Sequence, residues 1–198
     1  MQDLSSVFPD CVNLATKAKR LERDGEIIRL KKGLYVASTG VSRVELSPFL
    51  LANHIYGPSY VSMQTALRLY GLIPEAVYSV QSMTTGVARD YDNAIGTFNY
   101  IRVPVEYYNV GVTMKEDNGA SFMIATPEKA LCDLMVYTPN LNLRFQTAVR
   151  KYLEEDIRFD MDELQNIDLS IIEECGQVSK KKTMLYQLMK FIEHERNI

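Results

Sequence analysis

The chain has 198 residues, of which 46% are hydrophobic and 24% charged. This composition is typical of a globular protein with a substantial core. No apolar run approaches the roughly 18 residues that span a bilayer, and the N-terminal residues lack the features of a secretory signal. Cys11, Cys132 and Cys175 are too few and too scattered for a disulfide framework or a zinc site. We therefore expect a cytoplasmic protein with reduced thiols, no cofactor and no membrane contact.

Positive charge is concentrated between Val12 and Val36. This segment carries a net charge of +4, whereas the whole chain carries −3, so the remainder carries −7. Its cations are Lys17, Lys19, Arg20, Arg23, Arg29, Lys31 and Lys32. A confined basic region on an acidic chain indicates a polyanion-binding face.

The same segment predicts a helix followed by a β-hairpin. Leu14, Ala18 and Leu21 form one apolar helical stripe, and Gly25 ends the helix because glycine accepts left-handed backbone angles. The hairpin turn falls at Lys31-Lys32-Gly33. A helix, a turn and a basic hairpin in this order are typical of the recognition helix and wing of a winged-helix DNA-binding module. The alternative is a surface helix and hairpin with solvated lysines.

The rest of the chain predicts an α+β domain with a small antiparallel sheet and C-terminal helices. Strands are expected over residues 77–85, 97–103, 108–113 and 121–125, separated by turns at 92–93, 104 and 117–119. Helices are expected from Ser47-Pro48, after Ser62, from Thr126-Pro127, over 142–153 with Phe145, Val149, Tyr152 and Leu153 on one side, and over 180–195. A boundary near residues 37–45 divides the chain into a winged-helix domain, 1–40, and a second domain, 41–198.

Residues that could perform catalysis are few, so we expect no enzymatic activity. The chain contains no Gly-x-Ser-x-Gly motif, phosphate-binding P-loop or dinucleotide fingerprint. His54 lies among apolar helix positions and is interpreted as a partly buried structural residue. Asp90 and Asp92 could form a metal site for nucleotidyl transfer, but their turn-rich surroundings favour local hydrogen bonding in a loop.

Two further charged clusters have structural explanations. Lys129 and Asp133 are four residues apart on a predicted helix, which indicates a surface ion pair, and Glu128 suits the helix N-terminus. Lys180-Lys181-Lys182 is interpreted as a solvated charge run. The alternatives for this run are a contact with nucleic-acid phosphate, with an acidic partner, or with the acidic stretch 154–174.

Three motifs together resemble the AbiEi family of antitoxins from AbiE-type (type IV) toxin–antitoxin abortive-infection systems. The motifs are Gly25-Glu-Ile-Ile-Arg-Leu-Lys-Lys-Gly-Leu-Tyr35, Gly57-Pro-Ser-Tyr-Val-Ser-Met-Gln-Thr-Ala-Leu67 with Tyr70-Gly-Leu72, and Ile124-Ala-Thr-Pro-Glu-Lys-Ala-Leu-Cys-Asp-Leu134. The resemblance implies an N-terminal winged helix that represses its own operon. It also implies a C-terminal domain that counters a toxin resembling a nucleotidyltransferase.

The chain departs from this pattern ahead of the wing. A complete winged helix places two helices before the recognition helix, but only 25 residues precede Glu26, and Pro9 limits the segment from Asp3 to Cys11 to one short helix. We therefore expect a shortened module, completed by dimerisation or reduced to a scaffold. The first hypothesis is a transcriptional regulator and antitoxin, expected as a homodimer on operator DNA. The second is a protein-binding regulatory module whose winged helix is vestigial.

Overall fold

The computed structural model describes residues 7–197, which combine helices with two β-sheets. The first part contains α1 (Leu14–Arg23), β1 (Ile27–Lys31), β2 (Leu34–Ala37), the single turn α2 (Thr39–Ser42), α3 (Pro48–Ile55), β3 (Ser59–Val61) and α4 (Met63–Leu69). The middle contains β4 (Ser79–Thr84), β5 (Arg89–Asn93), β6 (Gly96–Arg102), α5 (Val105–Tyr108), β7 (Val112–Asp117) and β8 (Ala120–Ala125). The last part contains α6 (Pro127–Tyr137), α7 (Gln146–Lys151), a π-helical turn (Tyr152–Asp156), a 3-10 helix (Met161–Asn166), α8 (Leu169–Val178) and α9 (Lys182–Glu195). Within the described residues, no helix is both long and apolar enough to cross a membrane.

The expected helix, turn and hairpin at the start of the chain are confirmed. The side chain of Asn13 caps α1 by accepting the N–H of Thr16 at 3.1 Å. Gly25 adopts φ = +73°, and the N–H of Glu26 donates to the carbonyl of Leu21 at 2.9 Å, which completes a Schellman cap. Strands β1 and β2 then pair antiparallel. The segment from Asp3 to Cys11 lies partly outside the described residues.

The larger sheet is mixed, so the α+β class is confirmed but the expected antiparallel arrangement is wrong. Its six described strands follow the order β5-β6-β4-β3-β8-β7, in which β3 runs parallel to β8 and β4 runs parallel to β6. The segment Ser59–Val61 lies outside the four segments that were expected to form strands. It is instead buried throughout and takes a central place between β4 and β8.

Three local expectations in this region are corrected. Asp92 and Asn93 belong to the edge strand β5 rather than to a turn, because the chain reverses two residues later and β5 pairs with β6. The strand expected over 108–113 begins only at Val112, because Pro104 provides the N-cap of α5. Phe145 is 69% exposed, because α7 begins at Gln146 and not at 142.

Helix α6 is the centre of the second half. Thr126 caps it by accepting the N–H of Lys129 at 3.3 Å, and Pro127 occupies its first turn, as expected from the sequence. Every residue from Glu128 to Val136 is buried, because α6 packs between α4, α8 and β8. The C-terminal helix α9 packs on α7 and α8 through Leu185, Leu188 and Ile192.

The hairpin of β1 and β2 packs onto the body of the protein. Leu30 is only 2% exposed and belongs to the same apolar cluster as the residues of the mixed sheet. The side-chain amide of Asn93 on β5 donates to the carbonyl of Leu30 at 3.2 Å. The α1–hairpin unit therefore shares its packing with the body, and the division into residues 1–40 and 41–198 stays a prediction.

Candidate nucleic-acid interface

Helix α1 presents its cations on the side that faces solvent. Ala18 and Leu21 are each 5% exposed and bury one face against the hairpin. Lys19, Arg20 and Arg23 project from the opposite face, since residues three and four apart on a helix are neighbours, and all three are exposed. Their positions therefore suit contact with an extended polyanion.

Lys17 differs from these three residues. It lies at the edge of the apolar stripe and is only half-buried, with its ammonium 4.9 Å from the centre of the Phe8 ring. A cation over an aromatic face is attracted to it electrostatically. Lys17 therefore has a partner within the protein and flanks the exposed cluster.

The hairpin divides its cations between solvent and the protein body. Arg29 and Lys32 are exposed, and Lys32 lies in the turn in which Gly33 adopts φ = +80°. Lys31 points inward: its ammonium donates to the carbonyl of Ile55 at the end of α3 and lies 5.9 Å from the centre of the Tyr91 ring. Sequence reasoning grouped the three cations, but only two of them face outward.

Acidic residues partly offset this basic face. Arg23 forms an ion pair with the neighbouring Asp24 at 3.1 Å, although its own side chain remains 76% exposed. An exposed pair of this kind contributes little energy. With respect to residues 7–197, Lys19, Arg20, Arg29 and Lys32 form no ion pair. We use the name basic face for these four exposed side chains together with Arg23, three of which lie on α1 and two on the hairpin.

The residues considered for catalysis are not brought together. Asp90 and Asp92 lie exposed on β5 and accept cross-strand hydrogen bonds from Asn99 at 2.8 Å and from Thr97 at 2.6 Å. These bonds are the local role that the sequence predicted, though in a strand and not in a loop. His54 is exposed, so its interpretation as partly buried is wrong. Within residues 7–197, no group of His, Cys, Asp and Glu side chains has the arrangement of a metal site.

The Lys129–Asp133 pair is buried, and the expectation of a surface ion pair is wrong. The ammonium of Lys129 lies 3.2 Å from the Asp133 carboxylate, and both side chains are fully inaccessible. Lys129 also donates to the carbonyl of Tyr107 at 2.8 Å and lies 3.2 Å from the centre of that ring. The spacing of four residues correctly predicted an ion pair on one helix. The pair is buried because other elements cover α6 on all sides.

Two residues from the central strand region complete this buried network. The hydroxyl groups of Ser62 and Tyr60 donate to the second oxygen of Asp133 at 2.6 and 3.1 Å. Burial raises the pKa of the Asp133 carboxyl, while the Lys129 ammonium and the hydrogen bond from Ser62 oppose the shift. Tyr60, Ser62 and Tyr107 were missed by sequence reasoning. The available signal was the run from Ala130 to Val136, in which every residue except Asp133 is apolar, as expected of a buried helix.

Other charged residues of α6 and its surroundings hold helix ends together. Glu128 is 6% exposed, and its carboxylate accepts the N–H of Asp168, the capping residue of α8, at 3.0 Å. The ammonium of Lys181 donates to the carbonyls of Met135, Thr138 and Leu141 at 3.1–3.3 Å. The run Lys180-Lys181-Lys182 is thus not uniformly solvated, because its middle member caps the C-terminal end of α6.

Two cysteines distant in the chain lie on helices that pack together. Cys132 on α6 and Cys175 on α8 are both buried and have free thiols. Burial raises the pKa of the Cys132 thiol, so this group is neutral near pH 7. Cys11 is partly exposed and separate from them.

Comparison of the chain with protein-family profiles gives no match, and comparison with curated proteins gives no significant match. The resemblance to AbiEi antitoxins therefore stays an expectation from the sequence motifs.

Proposed function

We propose that the chain is a DNA-binding transcriptional regulator of the antitoxin type. The observation that carries this proposal is the basic face, five exposed cations on one helix and the hairpin that follows it. In the proposed complex, α1 enters the major groove or lies against its phosphates, and Arg29 and Lys32 contact the neighbouring backbone. Lys31 is left out of this contact set because its ammonium is engaged by the carbonyl of Ile55.

The AbiEi-like motifs support the antitoxin part of the proposal. In the fold, residues 57–67 form β3 and the start of α4, and residues 124–134 form the end of β8 and most of α6. Tyr60 and Ser62 from one motif bond to Asp133 from the other. These motifs build the body that carries the basic face. In this proposal the body counters a nucleotidyltransferase-like toxin, the protein acts as a cytoplasmic homodimer on its operator, and the chain itself is not an enzyme.

A protein-binding regulatory module without DNA-binding activity is the second candidate. One observation favours it: the chain outside residues 12–36 carries a net charge of −7, so most of the protein would repel DNA. Such a module would retain the hairpin as a structural element packed on β5. If a nucleotidyltransferase-like reading frame lies beside the gene, this would favour the antitoxin role over the alternative.

A fluorescence-anisotropy titration tests the first proposal. The protein is titrated against DNA from its own upstream region and against scrambled DNA at several salt concentrations. We expect specific binding whose logarithmic salt slope is about −0.9 per phosphate contact. Arg20→Glu/Lys32→Glu, which reverses two cations of the basic face, should weaken binding at least about tenfold and flatten that slope.

Lys151→Glu is the matched control, because Lys151 is 68% exposed on α7 outside the basic face. This control should bind operator DNA like the parent protein. Two results would reject the DNA-binding proposal in favour of the protein-binding module. In one, the parent protein binds operator and scrambled DNA with equal affinity. In the other, the double variant binds operator DNA as tightly as the parent does.

A further inference from the structure

A groove of about 530 Å³ lies far along the chain from the basic face. It is formed where the ends of β4 and β6, the start of α5, the end of α6 and the link between α8 and α9 meet. Its volume falls within the range of small-molecule sites, roughly 300–1,000 Å³.

The groove is positively charged. Arg102 and Lys180 line it and are exposed, and neither forms an ion pair with any residue of 7–197. No aspartate or glutamate is among its lining residues. Lys181, whose ammonium caps α6, adds a third charge to the same wall. On a chain with net charge −3, this local excess of cations attracts anions.

The other walls of the groove are apolar. Val105 and Val178 remain 58% and 40% exposed at its sides, and the half-buried Tyr137 contributes its ring. Burying such surface favours binding by roughly 25 cal/mol per Å². The groove therefore offers a place for an apolar body next to cations that suit an anionic group.

Unlike Lys181, whose ammonium caps the C-terminal end of α6, Lys180 has no hydrogen bond among the described residues that accounts for its position. The Lys181 ammonium donates to three backbone carbonyls, whereas Lys180 lines both this groove and a second cavity of about 460 Å³. A cation that lines both cavities is well positioned to meet a ligand that extends from one toward the other.

The geometry points to a binding site for a nucleoside phosphate in this groove. The base packs between Val105, Val178 and Tyr137, and the phosphates bind Arg102 and Lys180. Arginine and lysine bind phosphate through charge-assisted hydrogen bonds. This site is separate from the basic face and does not depend on the proposed DNA binding.

Isothermal titration with ATP tests the assignment. We expect saturable binding with a Kd below about 1 mM. Arg102→Glu and Lys180→Glu should each weaken it at least about tenfold, with unchanged melting temperatures because both side chains are exposed. Lys182→Glu is the matched control, since Lys182 is exposed in the same lysine run but lines neither cavity.

Three results would overturn the inference: no saturable ATP binding, equal loss of affinity in Lys182→Glu, or pyrophosphate binding as tightly as ATP. The last would show that the apolar walls hold no base. A 5′-phosphorylated oligonucleotide tests the second source of the same chemistry. If this oligonucleotide binds more tightly than ATP and Arg102→Glu and Lys180→Glu abolish the difference, the site is assigned to the end of a nucleic-acid strand. If it binds more weakly than ATP, the site is assigned to free nucleotides.

Discussion

Lys129 and Asp133 form a buried ion pair, whereas their spacing in the sequence predicted an ion pair on the surface. An exposed pair at this spacing contributes a few tenths of a kcal/mol. A pair with both side chains at 0% exposure is different, because removing one partner leaves an uncompensated charge in a medium that solvates it poorly. The pair therefore constrains the core and cannot be changed one residue at a time.

Lys129→Met should lower the free energy of unfolding by about 3–5 kcal/mol near pH 7, measured by urea denaturation. Lys151→Met is the matched control, because Lys151 and Glu155 form a pair of the same spacing that is about two-thirds exposed. That control should change stability by less than about 0.5 kcal/mol. Equal effects of the two variants would mean that the Lys129–Asp133 pair is solvated.

The loss in Lys129→Met should also depend on pH. Burial raises the pKa of Asp133 above its value in the unfolded chain, and removing the ammonium removes an opposing influence. The folded state then binds the proton more tightly than the unfolded state, so stability falls as pH rises between the two pKa values. We expect the difference from the parent protein to be smallest near pH 4 and to grow toward neutral pH. A difference that shrinks with rising pH would contradict this assignment.

Among the turns that join the elements, Gly111 has the strictest requirement. It precedes β7 with φ = +59°, and an added Cβ would lie 2.8 Å from the Cβ of Lys129 and 2.9 Å from a methyl group of Ile171. Gly71 ends α4 with φ = +78° but has open space around an added Cβ. Replacing each glycine with alanine therefore distinguishes two energetic costs. Gly71 tests backbone strain alone, and Gly111 tests backbone strain together with a steric clash.

Gly71→Ala should destabilise the protein by about 1–2 kcal/mol through the left-handed conformation alone. Gly111→Ala should cost a further 1–3 kcal/mol or so, because it forces α6 and α8 apart at a close contact. Thermal unfolding of the two variants measures this difference. Similar losses would show that the contact between Gly111 and α6 relaxes easily.

In the molecule as a whole, the α1–hairpin unit and the body share one apolar cluster through Leu30. Leu30→Ala should therefore lower the stability of the entire chain by about 2–5 kcal/mol while unfolding remains a single transition. Calorimetry checks the number of transitions. Val12→Ala is the control, because Val12 is fully exposed near the same unit and should have little effect. Two separate transitions would instead support independent domains on either side of residue 40.

Local signals in the sequence determined where many elements begin and end. Thr126-Pro127 starts α6, Gly25 ends α1, and Asn118-Gly119 turns β7 into β8 with φ values of +50° and +76°. These features are predictable because caps and turns depend on residues within about four positions of one another. The basic charge of residues 12–36 and the absence of familiar catalytic motifs were also apparent from the sequence.

Only the tertiary structure decided which charges reach solvent and which strands pair. Lys31 and Lys32 are adjacent, yet one ammonium binds the end of α3 and the other side chain is exposed. Ser59–Val61 is too short to be predicted as a central strand from its own sequence. Its position in the sheet depends on pairing with β4 and β8, which are more than 15 residues away in the chain. Arg102 and Lys180 share a groove for the same reason. Burial and pairing are set by segments distant in the chain, and periodicity within one segment does not contain that information.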